Sequence, residues 1–214
     1  MEIRRTANAG VLLSLDDEQI LLDGVCREVA PYLATPPAEK QKLLTSCPDG
    51  VLFTHTHDDH FDAGYARDYT GKTGNPVCFP DGTEKSFSLG TVQITALPTR
   101  HMGRAGLTET HQSFVLRGSR CVWFLGDASP SELGRFSAFP KADVLMVPYP
   151  YISTPAALRL VENLRPCKIV VLHLPDREHD PEGLWHTILP GMEQLKAYIC
   201  VPSTGQTLKI ESTP

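Results

Sequence analysis

Six consecutive residues carry most of the metal-binding potential of this sequence: His55-Thr56-His57-Asp58-Asp59-His60. Imidazoles bind zinc, iron, nickel and copper well, and carboxylates add hard oxygen donors. The chain has eight histidines, and three of them fall in this run, so chance placement in a solvated loop is a poor explanation. The run therefore predicts a metal site.

The spacing of the run also constrains its backbone. Residues two apart do not share a face of a helix, so His55 and His57 must lie in extended or loop conformation. The apolar residues 51–53 directly before the run predict a strand that ends at His55. Asp59 and His60 are expected to open the helix that follows.

The run alone does not complete a catalytic site. Catalytic zinc usually has three protein ligands and an open position, and two-metal sites hold ions about 3.5–4 Å apart, which a carboxylate can bridge. Rigid strand ends are natural positions for the missing ligands. Three further apolar segments are followed by such groups: His101 after 91–97, Asp127 after 121–125 and His173 after 169–172.

The elements that position these residues are of two kinds. Antiparallel hairpins are predicted early, with strands at 11–15 and 19–23 and, further on, at 113–116 and 121–125. A strand-helix-strand unit is predicted late, with strands at 143–147 and 169–172 around a helix at 155–164 whose N-cap is Thr154. This mixture predicts a layered α/β architecture with helices outside packed sheets.

The remaining elements are less regular. Helices are predicted at 37–44 and at 181–198, and the second is expected to be interrupted around Pro190-Gly191. A strand is predicted at 91–97 and an edge strand at 206–210.

Length and composition indicate one ordinary globular domain. The chain has 214 residues, of which 41% are hydrophobic and 21% charged, so residues 1–214 are expected to form one domain. The formal net charge of −5 argues against a nucleic-acid partner, and the shortness of the chain favours a small-molecule substrate.

No targeting or membrane segment is expected. The first ten residues lack an apolar segment long enough for a secretory signal, and no stretch of about 18 apolar residues suggests a membrane span. The six cysteines are scattered and form no Cys-x-x-Cys pair. They are expected to be reduced thiols, which points to the cytoplasm.

Taken in order, these motifs resemble the metallo-β-lactamase superfamily of hydrolases. The matching stations span nearly the whole chain, and the His-x-His-x-Asp-His run is the most specific of them. They are the opening Asn8-Ala9-Gly10 with Leu21-Leu22-Asp23, the run at 55–60, His101, Gly126-Asp127 and His173. The resemblance implies an αββα sandwich, that is, a four-layer α/β (α+β) fold, with the site at one edge.

The resemblance also implies a role for each residue. His55, His57 and His101 would hold one divalent metal ion; Asp59, His60 and His173 would hold a second; and Asp127 would bridge them. Asp23 matches an acidic residue beside the ligands, which could accept the free N–H of a ligand histidine. Zinc is the expected metal, and iron or manganese is compatible with the same ligands.

One ligand position has two candidates. His101 follows a strand, and Met102-Gly103 turns the chain away after it, whereas His111 directly precedes the segment 113–116. The sequence favours His101. His111 is then expected to be a partly buried histidine that makes hydrogen bonds.

The implied activity is hydrolysis by a metal-bound hydroxide shared between the two ions. Asp59 and Asp127 are the predicted catalytic carboxylates, with Asp59 also handling the proton of the leaving group. A small ester, lactone or phosphoester is the expected substrate, because larger nuclease branches carry an inserted domain for which this chain has no room.

Three alternatives remain open. The first is a compact nuclease or cyclic-nucleotide phosphodiesterase, and the second is a non-catalytic metal-binding or sensor protein. The third is a di-iron protein that reduces oxygen or nitric oxide, but related proteins of that kind place a carboxylate where His57 stands and add a flavin domain. The roles of four residues near the expected site also remain open: Tyr149, Tyr151, Asp176 and His179.

Overall fold

Two β-sheets form the framework of the computed structural model, which describes residues 1–211. The first sheet has the strand order β13-β1-β2-β3-β4-β5, with antiparallel pairs from β13 to β3 and parallel pairs from β3 to β5. Its strands are β1 (Glu2–Arg5), β2 (Val11–Leu15), β3 (Glu18–Leu22), β4 (Gly50–Leu52), β5 (Val77–Cys78) and β13 (Thr207–Lys209).

The second sheet has the order β12-β11-β10-β9-β8-β7-β6. Strands β6 to β9 pair antiparallel, whereas β9 to β12 pair parallel. Its strands are β6 (Lys85–Leu89), β7 (Val92–Pro98), β8 (Gln112–Arg117), β9 (Cys121–Phe124), β10 (Val144–Pro148), β11 (Lys168–Leu172) and β12 (Ile199–Cys200).

Helices cover the outer faces of both sheets. They are α1 (Pro37–Ser46), α2 (Ala63–Thr73), α3 (Pro150–Ser153), α4 (Pro155–Leu164) and α5 (Leu184–Gln194). Short 3₁₀ helices occupy Arg104–Leu107, Pro130–Ala138 and Arg177–His179.

Three apolar clusters fix the order of the layers. The central cluster joins Leu13 and Ile20 of the first sheet to Phe114 and Phe124 of the second, so the sheets pack face to face. A second cluster packs the first sheet against α1 and α2, and a third packs the second sheet against α3, α4 and α5. The predicted αββα sandwich is therefore confirmed.

Strand periodicity explains how one segment serves two layers. In β2, Leu13 points into the core between the sheets, whereas its neighbour Leu12 packs on the helix side. Successive side chains of a strand face opposite sides, and both sides of this sheet are covered. This explains why β2 is apolar at every position except Ser14.

Most predicted elements are found, but three details are wrong. Asp59 and His60 lie in a turn rather than at the start of a helix, because α2 begins at Ala63 with Asp62 as its N-cap. Thr154 does occupy an N-cap position, yet its side chain makes no capping hydrogen bond. Helix α5 also runs through Pro190 without the predicted interruption.

Contact between helices accounts for the continuity of α5. A Cβ atom on Gly191 would lie 2.4 Å from the carbonyl oxygen of Ile152, so the glycine allows α5 to approach α3 closely. Such packing can hold a helix together across one hydrogen bond lost to proline.

Two other features match their predictions. All six cysteines are free thiols, and Cys26 and Cys121 are buried. No helix within residues 1–211 is both long enough and apolar enough to cross a membrane.

Candidate metal centre

The ends of five strands bring the predicted site residues to one edge of the sandwich. Strands β3, β4, β7, β9 and β11 each end a few residues before a polar group of the site. These groups are, in the same order, Asp23, His55, His101, Asp127 and His173. Six of the seven predicted ligands are buried, and the seventh, His57, is partly exposed.

The turns at these strand ends have unusual backbone conformations. Asp23 and His173 have positive φ angles of 44° and 58°. Non-glycine residues reach such conformations at a cost of about 1–3 kcal/mol, and they cluster at functional sites. Gly126, with φ of 54°, precedes Asp127, and a Cβ atom there would lie 2.6 Å from the side chain of Thr54. Only glycine fits this position without a shift of its neighbours.

His55, His57 and His101 form the first ligand group. Nε2 of His55 lies 3.1 Å from Nδ1 of His57. The ring centroid of His101 is 4.7 Å from that of His55 and 4.9 Å from that of His57. Each residue offers one nitrogen within 4.8 Å of the others, which is close enough for all three to reach one ion.

Asp59, His60 and His173 form the second ligand group. Oδ2 of Asp59 lies 3.1 Å from Nε2 of His173 and 4.0 Å from Nε2 of His60. The two imidazole rings are 5.0 Å apart between centroids. A single ion can therefore meet one atom of each residue.

Asp127 lies between the two groups. Its Oδ2 atom is 3.4 Å from Nε2 of His173 and 3.6 Å from Nε2 of both His60 and His101. One carboxylate thus faces members of both ligand groups, in the position that a bridging ligand would need.

The protein does not satisfy these atoms internally. Within residues 1–211, four buried atoms of the site have no hydrogen-bond partner: Nε2 of His60, Nε2 of His101, Nε2 of His173 and Oδ1 of Asp127. A buried polar group without a partner costs about 1–3 kcal/mol. Nitrogen ligands at about 2.0–2.1 Å from a tetrahedral zinc lie about 3.3 Å apart, which agrees with the spacings above. The residues therefore fit divalent cations.

A hydrogen-bonded chain beneath the site holds two of the imidazoles. Asp23, fully buried, accepts hydrogen bonds from the backbone N–H of Thr54 at 2.8 Å and from its hydroxyl at 2.6 Å. The same carboxylate lies 2.9 Å from Nδ1 of His60, and the Thr54 oxygen lies 2.9 Å from Nδ1 of His55. When Nδ1 of His55 and of His60 carries the proton in these hydrogen bonds, Nε2 of each ring faces the centre and can offer its lone pair to a metal ion.

The other three imidazoles have separate supports. Nδ1 of His101 donates to the carbonyl oxygen of Met102 at 2.7 Å, and Nδ1 of His173 lies 3.0 Å from the hydroxyl of Tyr32. Nε2 of His57 faces Oε2 of Glu109 at 3.5 Å. The sequence analysis did not find Thr54, Tyr32 or Glu109, because no motif or periodicity marks them.

His111 lies outside both groups. Its Nε2 accepts the backbone N–H of Asp127 at 3.1 Å, and its Nδ1 lies 2.8 Å from the hydroxyl of Thr99. Burial lowers the pKa of His111 to about 3, so the ring is neutral at physiological pH. Both ring nitrogens are used within the protein, which leaves His101 as the histidine that faces the centre.

The charges around the site favour a cation. Burial alone would raise the pKa of Asp127, but the nearby His173 and His60 outweigh it and hold that pKa well below its ordinary value. Burial acts to lower the pKa of His60, yet Asp127 and Asp23 raise it well above the ordinary value. Burial lowers the pKa of His55, which favours its neutral, metal-binding form.

The remaining candidate residues differ in how close they lie to the predicted metal ligands. The ring of Tyr149 lies 6.5 Å from that of His173, between centroids. Tyr151 is buried and donates to the carbonyl oxygen of Ala128 at 2.9 Å, which is a structural contact. Asp176 and His179 line a separate cavity of about 90 Å³, and Asp176 accepts hydrogen bonds from Thr204.

The fold is shared with several solved structures. A metallo hydrolase from the hyperthermophilic archaeon Ignicoccus hospitalis has a TM-score of 0.69 at 15% identity, with 99% of each chain covered. An isothiocyanate hydrolase from Delia radicum gut bacteria has a TM-score of 0.70 at 16% identity, covering 99% of this chain and 100% of that one. The di-iron β-hydroxylase CmlA from Streptomyces venezuelae has a TM-score of 0.61 at 15% identity and is covered over 54% of its length, against 98% of this chain.

Sequence comparison gives the family directly. None of the curated proteins matches this chain significantly. The profile of the β-lactamase superfamily domain, however, matches residues 2–176, which include every predicted ligand. The chain therefore belongs to the β-lactamase superfamily, and its resemblance to the metal-dependent members of that superfamily is confirmed.

Proposed function

We propose that this protein is a hydrolase with two divalent metal ions, acting on a small ester, lactone or phosphoester. His55, His57 and His101 would bind one ion, and Asp59, His60 and His173 the other. The position of Asp127 carries the proposal, because its Oδ2 atom lies 3.4–3.6 Å from imidazoles of both groups. The buried, unpartnered Nε2 atoms of those imidazoles support it.

The ions would lower the pKa of a water molecule toward neutrality and polarise a carbonyl or phosphoryl oxygen. The protein would supply position and proton transfer. Asp127, buried at the base of the site, keeps its charge, since His173 and His60 hold its pKa low. The Asp59 side chain, at 12% exposed, would accept a proton from the attacking water and return it to the leaving group.

The ligand set supports zinc in particular. Five imidazoles and two carboxylates form a nitrogen-rich site, which suits zinc or iron better than the oxygen-preferring magnesium or calcium. Manganese is the weaker alternative for the same reason. We propose zinc as the resident metal and iron as the first alternative to test.

We also propose that the substrate is a small molecule and that the protein works in a reducing compartment. Tyr149, whose ring centroid lies 6.5 Å from that of His173, is our candidate for a hydrogen bond to a substrate. The net charge of −5 gives little general attraction for a nucleic-acid backbone. The six free thiols are compatible with the cytoplasm.

The experiment combines metal loading with a substrate panel. The protein is stripped with a chelator, reloaded with zinc, iron or manganese, and assayed on esters, lactones, bis(p-nitrophenyl) phosphate and an isothiocyanate, the last because of the Delia radicum gut enzyme. We expect hydrolysis of at least one small substrate that depends on metal and is lost in Asp127→Ala. Activity that survives in metal-free protein or in Asp127→Ala would contradict the proposal, and so would a fully loaded protein that hydrolyses nothing in the panel.

A further inference from the structure

Residues 24–36 form a loop that contacts both halves of the candidate centre. At one end, the backbone N–H of Arg27 donates to the carbonyl oxygen of Asp58 at 2.6 Å, within the His-rich run. The side chains of these two residues also form an ion pair at 3.0 Å. Further along the loop, Tyr32 reaches His173. The loop therefore connects the turn at 55–60 to the end of strand β11.

The contact between Tyr32 and His173 is specific in geometry. The tyrosine hydroxyl lies 3.0 Å from Nδ1 of His173. The two rings meet edge to face, with centroids 4.6 Å apart and an interplanar angle of 84°. Tyr32 is only 9% exposed, so packing holds the ring in place. The hydroxyl and the ring face thus restrain His173 in two independent ways.

Orientation matters more for His173 than for a residue inside a strand. His173 lies just past β11 with a positive φ angle, in a turn rather than in the sheet ladder. Its Nε2 atom points to Asp59 at 3.1 Å and to Asp127 at 3.4 Å. For Nε2 to present a lone pair there, Nδ1 must carry the proton and needs an acceptor. Within residues 1–211, the hydroxyl of Tyr32 is the hydrogen-bond partner found at this nitrogen, and its oxygen can act as that acceptor.

We infer that Tyr32 is a positioning residue for the second metal ion. Its hydroxyl accepts the Nδ1–H of His173 and thereby fixes both the tautomer and the direction of the ligand nitrogen. This inference rests on the proposed function for the metal, but the hydrogen bond between Tyr32 and Nδ1 is present without an ion. A hydroxyl increases the basicity of an imidazole less than the Asp23 carboxylate does at His60, so the His173 side of the site is the more easily perturbed.

Tyr32→Phe tests the inference, because phenylalanine keeps the ring contact and removes only the hydroxyl. Groups that orient a metal ligand typically contribute about 10–100-fold to metal affinity. We expect the second zinc ion to bind about tenfold more weakly in Tyr32→Phe, with the first ion nearly unchanged and the melting temperature lowered no more than in the control variant Tyr69→Phe. Chelator competition with zinc measures the two affinities separately.

Histidine NMR gives a readout that needs no metal. In metal-free wild-type protein, the ¹⁵N signal of Nδ1 in His173 should be that of a hydrogen-bonded ring nitrogen, and in Tyr32→Phe it should shift to that of a nitrogen without this partner. Tyr69→Phe is the matched control, since it also removes the hydroxyl of a buried tyrosine. The Tyr69 hydroxyl donates to the backbone carbonyl oxygen of Pro48, away from the candidate centre.

The outcomes separate the two claims. Unchanged zinc affinity and an unchanged Nδ1 signal of His173 in Tyr32→Phe would overturn the role of Tyr32. Equal weakening of both ions together with lost stability, as in a general packing defect, would also overturn it. A wild-type protein that binds no metal, but whose His173 Nδ1 signal shifts in Tyr32→Phe, would contradict the proposed function while supporting the positioning role.

Discussion

The backbone N–H of Asp127 donates a hydrogen bond to Nε2 of His111 over 3.1 Å, while the carboxylate of Asp127 faces His173, one of the predicted metal ligands. One residue thus joins a structural histidine to the candidate centre. His111 in turn lies 2.8 Å from Thr99, whose hydroxyl is 3.0 Å from that of Ser113. This network holds the backbone of Asp127 in place. His111 therefore supports Asp127, whereas His101 faces the candidate centre.

Replacing each of these two histidines by alanine should produce different defects. His101→Ala should bind the first metal ion much more weakly, because it removes one of three ligands. His111→Ala should retain both ions at high zinc concentration but lose about 1–3 kcal/mol of stability, since it leaves the N–H of Asp127 without a partner. Elemental analysis and chemical denaturation measure the two effects, and the reverse pattern would exchange the roles.

Asp127 and His173 should differ in how many ions they affect. Asp127→Ala should weaken binding of both ions, because its Oδ2 atom faces both ligand groups. His173→Ala should chiefly weaken one ion. Zinc titration followed by calorimetry distinguishes the variants. Equal loss of both ions in the two variants would show that the assignment of ligands to ions is wrong.

Glu109 should support the first ion from the loop 103–110. Oε2 of Glu109 lies 3.5 Å from Nε2 of His57. A carboxylate at this position favours a proton on Nε2, so the lone pair of His57 is then on Nδ1, where it can bind a metal ion. The His57 side chain is 39% exposed, so we expect Glu109→Ala to weaken the first ion by no more than about tenfold.

Glu132→Ala is the control for this effect. Its side chain is 19% exposed and pairs with Arg135 at 3.4 Å, which resembles the exposure and contact distance of Glu109. Zinc affinity is measured by chelator competition in both variants. A similar change in the two, or no change in Glu109→Ala, would rule out a specific role of Glu109.

Asp62 should make the stability of the fold depend on pH. It is the N-cap of α2, where it accepts the N–H of Tyr65 at 3.0 Å and pairs with Lys40 at 2.5 Å. Burial acts to raise the pKa of Asp62, but these contacts outweigh it and lower the pKa. Its contribution is therefore fully present above the unfolded pKa of about 3.9 and is lost as pH falls through the lower folded value.

Asp62→Asn keeps a capping side chain and removes the charge, which isolates this effect. The wild type should be more stable than Asp62→Asn near neutral pH, and the difference should shrink below about pH 4. Urea denaturation at several pH values measures it, with Asp68→Asn on the exposed side of the same helix as control. A difference that is constant with pH would contradict the assignment.

The sequence was sufficient to predict which residues come together in the candidate centre, because they lie next to strand ends. His55, His101, Asp127 and His173 follow apolar segments, and strands that end at one edge of a sandwich place such residues together. The early hairpins and the late strand-helix-strand unit predicted helices outside packed sheets, whereas the αββα order came from the resemblance to the metallo-β-lactamase superfamily.

The supporting residues could not be found in the same way. Tyr32 contacts His173 across 141 positions of sequence, and Glu109 contacts Thr56 across 53, both from loops without periodicity. The start of helix α2 was predicted too early because its segment Ala63–Thr73 buries only Tyr65, Ala66 and Tyr69, which is a weak apolar pattern. The continuity of α5 depends on the tertiary contact between Gly191 and Ile152, which no local rule describes.

The metal content of the purified protein tests the central claim most directly. Protein loaded with zinc, freed of excess metal by gel filtration and analysed by inductively coupled plasma mass spectrometry should contain about two ions per chain. The same measurement on Asp127→Ala should give clearly fewer. A folded wild-type protein that retains no zinc, iron or manganese after loading would contradict the account.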